Sequence, residues 1–124
     1  MITTLQIRDR LEERVPAGTI LDNPGRGNSK IKAYGPEKLS YVRGTSTMYL
    51  AYSDIADVYE SFKGKKVSSI DLKAFRPQVF DSSARPAGHS CNCTMVFMLL
   101  EKLDLSGSVE GAGVRGNPFS ATLC

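Results

Sequence analysis

The stretch Met95-Val-Phe-Met-Leu-Leu100 is the longest uninterrupted apolar run in the chain, and it lies inside a helical pattern from about Ser90–Asn92 to Asp104. At 3.6 residues per turn, six successive apolar residues put apolar side chains on every face of a helix. Such a helix must be enclosed by neighbours. Six residues are far fewer than the roughly 20 needed to cross a bilayer, so the enclosing elements have to come from a soluble fold. A chain of 124 residues with 41% hydrophobic and 23% charged residues has ordinary globular composition. At this size folding buries roughly two-thirds of the unfolded surface. One domain over residues 1–124 is expected, with no targeting or membrane segment and a cytoplasmic location. The odd count of three cysteines, with Cys91 and Cys93 too close to bridge on a helix, points the same way.

The remaining elements follow from capping and periodicity. Thr3 or Thr4 opens a first helix striped by Leu5, Ile7, Leu11 and Val15, and Pro16-Ala-Gly18 ends it. A short apolar stretch, Thr19-Ile-Leu21, leads into the turn-rich Asp22-Asn-Pro-Gly-Arg-Gly-Asn28. Residues 30–52 read as a β-hairpin, with Thr47-Met-Tyr-Leu-Ala-Tyr52 as its second strand. Ser53 is the expected cap of a helix carrying Ile55, Val58, Tyr59 and Phe62 on one face, with Gly64 just past its end. Ser68 and Asp71 have capping-box spacing for a short second helix that Pro77 limits. After the buried third helix, Gly111, Gly113 and Gly116 between apolar flanks read as a tight β-hairpin.

Charge is unevenly placed. Residues 1–62 hold eight Lys/Arg and eight Asp/Glu, whereas residues 63–124 hold eight against five, so the net +3 lies in the second half. Clusters such as Lys63-Gly-Lys65-Lys66 suit a polyanion, because neutralising each phosphate releases condensed counterions. A merely solvated surface is the plainer reading.

From residue 53 the order is helix, short helix, loop, buried helix, glycine-rich hairpin. This order, with Ser68-Ser-Ile-Asp-Leu72 opening the second helix and Val109 to Phe119 as wing, resembles winged helix-turn-helix DNA-binding domains. The resemblance covers roughly residues 53–124 and rests on element order. It implies an α+β fold in which a helix and β-hairpin (1–52) pack on a winged-helix-like three-helix core with a C-terminal β-hairpin (53–124). It also implies a non-enzymatic module that reads duplex DNA through the start of the third helix and the wing. The residues expected at that interface are His89, Ser90, Asn92 and Thr94 at the helix start and Arg85 in the preceding loop. Lys65, Lys66, Lys73, Arg76 and Arg115 are expected on backbone phosphates. A homodimer or larger complex is compatible with this reading. Each residue also has a plainer use: Ser90 and Asn92 as caps, His89 in a loop hydrogen bond, and the glycines in an ordinary turn. Tyr41, Tyr49 and Tyr52 would instead make an aromatic platform for single-stranded RNA if all three faced solvent.

Other chemistry is less well supported. His89-Ser-Cys91-Asn-Cys93 is too compressed for tetrahedral zinc, and Cys124 is a remote fourth ligand. Neither a metal nor a cofactor is expected. Cys91 beside His89 suggests a thiol nucleophile, but no residue that would orient the base is evident. A small thiol-dependent enzyme and a protein–protein adaptor remain the alternatives. Gly111-Ala-Gly-Val-Arg-Gly116 spells a dinucleotide-loop pattern, yet Asn117-Pro118 follows where a helix should begin.

Overall fold

The computed structural model describes residues 1–84 and 88–124. The fold is mixed α+β, and the described residues form five helices, a four-stranded antiparallel sheet and a two-stranded sheet. Helix α1 (Thr4–Arg14) is followed by the meander β1 (Ile20–Asp22), β2 (Asn28–Tyr34), β3 (Lys38–Arg43) and β4 (Ser46–Ala51). Helix α2 (Tyr52–Phe62), strand β5 (Lys66–Ser68), helix α3 (Ser69–Phe75), the single turn α4 (Pro77–Phe80), helix α5 (Cys91–Lys102) and strand β6 (Ser120–Thr122) complete it. No helix among the described residues is long and apolar enough to cross a membrane.

Helix α5 is the centre. Every side chain from Asn92 to Leu100 is buried, and Met95, Val96, Phe97, Leu99 and Leu100 are fully so. At about 1.5–3 kcal/mol for each such side chain, this helix is a principal source of the driving force for folding. Inward residues of the other elements join the same cluster, among them Ile7, Leu11 and Val15 of α1 and its C-terminal end. Ile31, Leu39, Tyr41 and Leu50 come from the meander, Ile55 and Val58 from α2, and Val67, Leu72 and Phe80 from the elements that follow.

Local signals set the ends of the helices. Thr3 and Gln6 form a reciprocal capping box on α1, and Ser68 and Asp71 form one on α3. Pro77 stops α3 and starts α4, because it lacks an N–H to continue one helix and suits the first turn of the next. Gly64 takes φ +79° just past α2, as a left-handed terminating residue does.

Several expectations need correction. Leu5 is 60% exposed and leaves the stripe of α1 to Ile7, Leu11 and Val15, spaced four residues apart. Helix α2 begins one residue ahead of Ser53, with Ala51 as its N-cap and no side-chain cap. Tyr52 is drawn inward, where its amide donates to Glu37 O and its hydroxyl to Gly35 O. Residues 30–52, expected as a single hairpin, hold three strands, β2, β3 and β4, of a four-stranded meander that starts at Ile20. The expected C-terminal hairpin is irregular: only the bridges Ser106–Leu123, Glu110–Ser120 and Val114–Asn117 join its arms. Its second arm, β6, pairs antiparallel with β5 instead.

One polar contact is sealed inside this core. The Tyr41 hydroxyl donates to Asn92 Oδ1 at 2.6 Å, and Asn92 Nδ2 donates to Val79 O at 2.9 Å. Together they tie the meander, α4 and α5. Tyr41 is fully buried, and desolvation pushes its phenol pKa well above the ordinary value. Removing one member leaves a buried partner unsatisfied. Asn92→Ala and Tyr41→Phe should therefore each destabilise the protein by about 1–3 kcal/mol. The double variant Tyr41→Phe/Asn92→Ala should cost less than the two single changes summed, as measured by urea unfolding.

Candidate functional site

The N-terminal ends of α3 and α5, the loop after β1 and the glycine-rich turn converge on one cleft of about 550 Å³. The Ser68 capping box sets the start of α3, and the Ser69 amide donates to Phe119 O, which joins that start to the C-terminal ribbon. On the opposite lip, Asn23 is folded inward. Its Oδ1 accepts from Ser29 Oγ at 2.8 Å, its side-chain Nδ2 donates to Arg26 O, and its backbone N–H donates to Gly27 O, shaping the 23–27 turn.

The Phe119 ring holds the two lips together. A Cβ on Gly113 would come within 2.3 Å of this ring, and one on Gly25 within 3.0 Å. Gly113 also adopts φ +72°, which disfavours any other residue. Both loops close on the aromatic edge only because these positions lack a side chain.

Three cations line the cleft: Arg43 at the end of β3, Lys73 on α3 and Arg115 in the glycine turn. No Asp or Glu lines it, and none of the three lies within 4 Å of a carboxylate among the described residues. Apolar surface accompanies them in Pro24, Ile70, Val114, Pro118 and Phe119. Ile70 and Val114 are 61% and 58% exposed, two of the few large apolar side chains left in solvent.

The expected interface residues divide sharply. Lys73, Arg115, Ser90 and Thr94 line the cleft. Ser90 and Ser82 are linked three times, by the Ser90 amide donating to Ser82 Oγ and a hydroxyl–hydroxyl hydrogen bond, both 2.9 Å, and by the Ser82 amide donating to Ser90 Oγ at 3.4 Å. Thr94 is buried, and its hydroxyl donates to Cys91 O. Asn92 is only 2% exposed, and both ends of its amide are engaged internally. Asn92 and Thr94, both buried and hydrogen-bonded internally, are therefore not free to reach a base edge.

His89 is exposed but lines a second groove, with Met48, Tyr49 and Val79, and its amide donates to Val79 O. Arg76 is clamped by Asp54 and Asp57 of α2. The hydrogen bond to Asp54 leads in raising its pKa. Lys65 and Lys66 are exposed at the end of β5 away from the cleft. Arg85 lies outside the described residues. Of the three tyrosines, Tyr41 and Tyr52 are buried, and only Tyr49 is exposed, with Lys38 Nζ 5.1 Å from its ring centre. No three-tyrosine platform forms. Arg43 and Phe119 went unrecognised as site residues; the glycines flanking an aromatic in Gly113 to Phe119 were the available signal.

The three cysteines are free, and no group of three or more His, Cys, Asp or Glu among the described residues converges as metal ligands would. Cys91 lines the cleft half-buried and makes no hydrogen bond to His89. Cys93 is buried near Phe80 O, and desolvation pushes its thiol up to about 12. Alkylation of the native protein should modify Cys91 and Cys124 and spare Cys93 until unfolding, as read by mass spectrometry. The thiol pKa is raised in the fold, so the unfolded chain loses this proton first as pH rises. Cys93 therefore contributes stability that is complete below about pH 9 and declines toward about pH 12. In Cys93→Ala, the alkaline loss of stability should be shallower.

No protein-family model matches this chain, nor does any curated protein or solved structure.

Proposed function

We propose that this protein is a non-enzymatic DNA-binding module that docks on the phosphates of a duplex through the cationic cleft. The observation carrying this reading is the trio Arg43, Lys73 and Arg115, gathered from three separate elements around a cleft that no Asp or Glu lines. Unpaired cations at one concave site repel one another, and an anionic partner relieves that repulsion.

Chain order adds support. Strand β5, between α2 and α3, pairs antiparallel with β6, which follows α5, so the C-terminal ribbon is tied back to the helices that precede it. On this reading the glycine turn, which lines the cleft beside Arg43 and Lys73, would serve as the wing. Base reading by the first turn of α5 forms no part of the proposal, because Asn92 and Thr94 are enclosed. Contacts to phosphate alone set register and carry no sequence information.

Fluorescence anisotropy with a short duplex tests this. Three phosphate contacts give a log–log salt slope of about −2.7, so affinity should fall roughly 40-fold between 50 and 200 mM salt. Lys73→Ala or Arg115→Ala should each flatten the slope by about one and weaken all duplex sequences alike. Duplex binding without salt dependence would overturn the proposal, and salt-insensitive capture of a protein partner would favour an adaptor.

A further inference from the structure

We infer that the cleft receives one unpaired nucleotide of the bound DNA, with its base against Ile70, Val114 and Phe119 and its phosphate held among Arg43, Lys73 and Arg115. This rests on the DNA-binding reading above and names the feature of the DNA that the same site would recognise.

Size is the first argument. About 550 Å³ lies within the ~300–1,000 Å³ range of small-molecule sites. Paired bases in a duplex are enclosed between two backbones and stacked neighbours, so they present no isolated unit to a concavity of this size. A nucleotide that is bulged or extruded from the stack does.

The second argument is the mixture of surfaces. A site for phosphate alone needs cations and polar donors; it gains nothing from apolar side chains held in water. Here Ile70 and Val114 remain exposed on the lips of the same cleft that gathers the three cations. Their exposure is unfavourable in the free protein and is relieved by a flat apolar body. A ligand with an anionic end and such a body is a nucleotide unit. The half-buried Phe119 ring adds aromatic surface, the type on which unpaired bases stack.

The experiment compares three DNAs of one sequence by anisotropy at fixed salt: a perfect duplex, the duplex with a single bulged adenine, and the duplex with an abasic bulge. The abasic form keeps the backbone distortion and removes the base. We expect the adenine bulge to bind about tenfold tighter than both others, comparable to one base–aromatic contact. Ile70→Ser and Val114→Ser change solvent-exposed side chains, so the fold should persist. Both should lower the ratio of bulged-adenine to perfect-duplex affinity, read as a ratio within each variant. 2-Aminopurine placed at the bulge should change fluorescence on binding to the native protein and less so with either variant. Equal affinity for all three DNAs, or a preference shared by the abasic bulge or retained in both variants, overturns the inference while the DNA-binding proposal stands. Failure to bind any of the three overturns both.

Discussion

Enclosure of α5 is the constraint on which the rest of the structure depends. A helix with apolar side chains on all sides cannot lie on a surface, so other elements are needed around it. The meander supplies Tyr41 and Leu39, α1 and α2 supply aliphatic stripes, and the α3–α4 pair supplies Leu72 and Phe80. Burial extends to the first polar turn. Asn92, which a surface helix would present to solvent, is instead satisfied by Tyr41 and Val79. An unsatisfied buried amide would cost about 1–3 kcal/mol, so its neighbours must meet its hydrogen-bonding needs.

That enclosure moves the surface available for recognition. Helix α5 has almost no outward face. What remains open is its N-terminal rim, where Ser90 and Cys91 meet the start of α3 and the terminal ribbon. The cleft is thus a product of packing. Elements driven together by α5 meet at their ends, and those ends carry Arg43, Lys73 and Arg115.

Much of the fold was legible from local chemistry. Capping at Thr3 and Ser68, the stop at Pro77, the face of α2 and the interior nature of α5 all depend on nearest neighbours in sequence. The strand register was less accessible. Ile20–Asp22 is only three residues long, and its pairing with Asn28–Lys30 depends on the turn held by Asn23, which composition marks only as a loop. The site was legible in part for the same reason. Lys73, Ser90 and Arg115 fall within segments whose proximity follows from element order, whereas Arg43 reaches the cleft from the far side of the sheet. Arg76 illustrates the opposite error: a cation in a basic stretch is neutralised by Asp54 and Asp57, about twenty positions earlier in the chain. Burial of Asn92 could not be read from the polar spacing at the helix start, because it is imposed by a tyrosine 51 residues away.

The Phe119 ring, approached by both Gly25 and Gly113 along its Cε2–Cζ edge, behaves as a shared axle for two segments whose glycines are 88 residues apart. A side chain gained at either glycine would wedge the ring outward and spread both jaws together. The aperture is therefore a single mechanical variable, and natural variation at one jaw would have to be accommodated by the other.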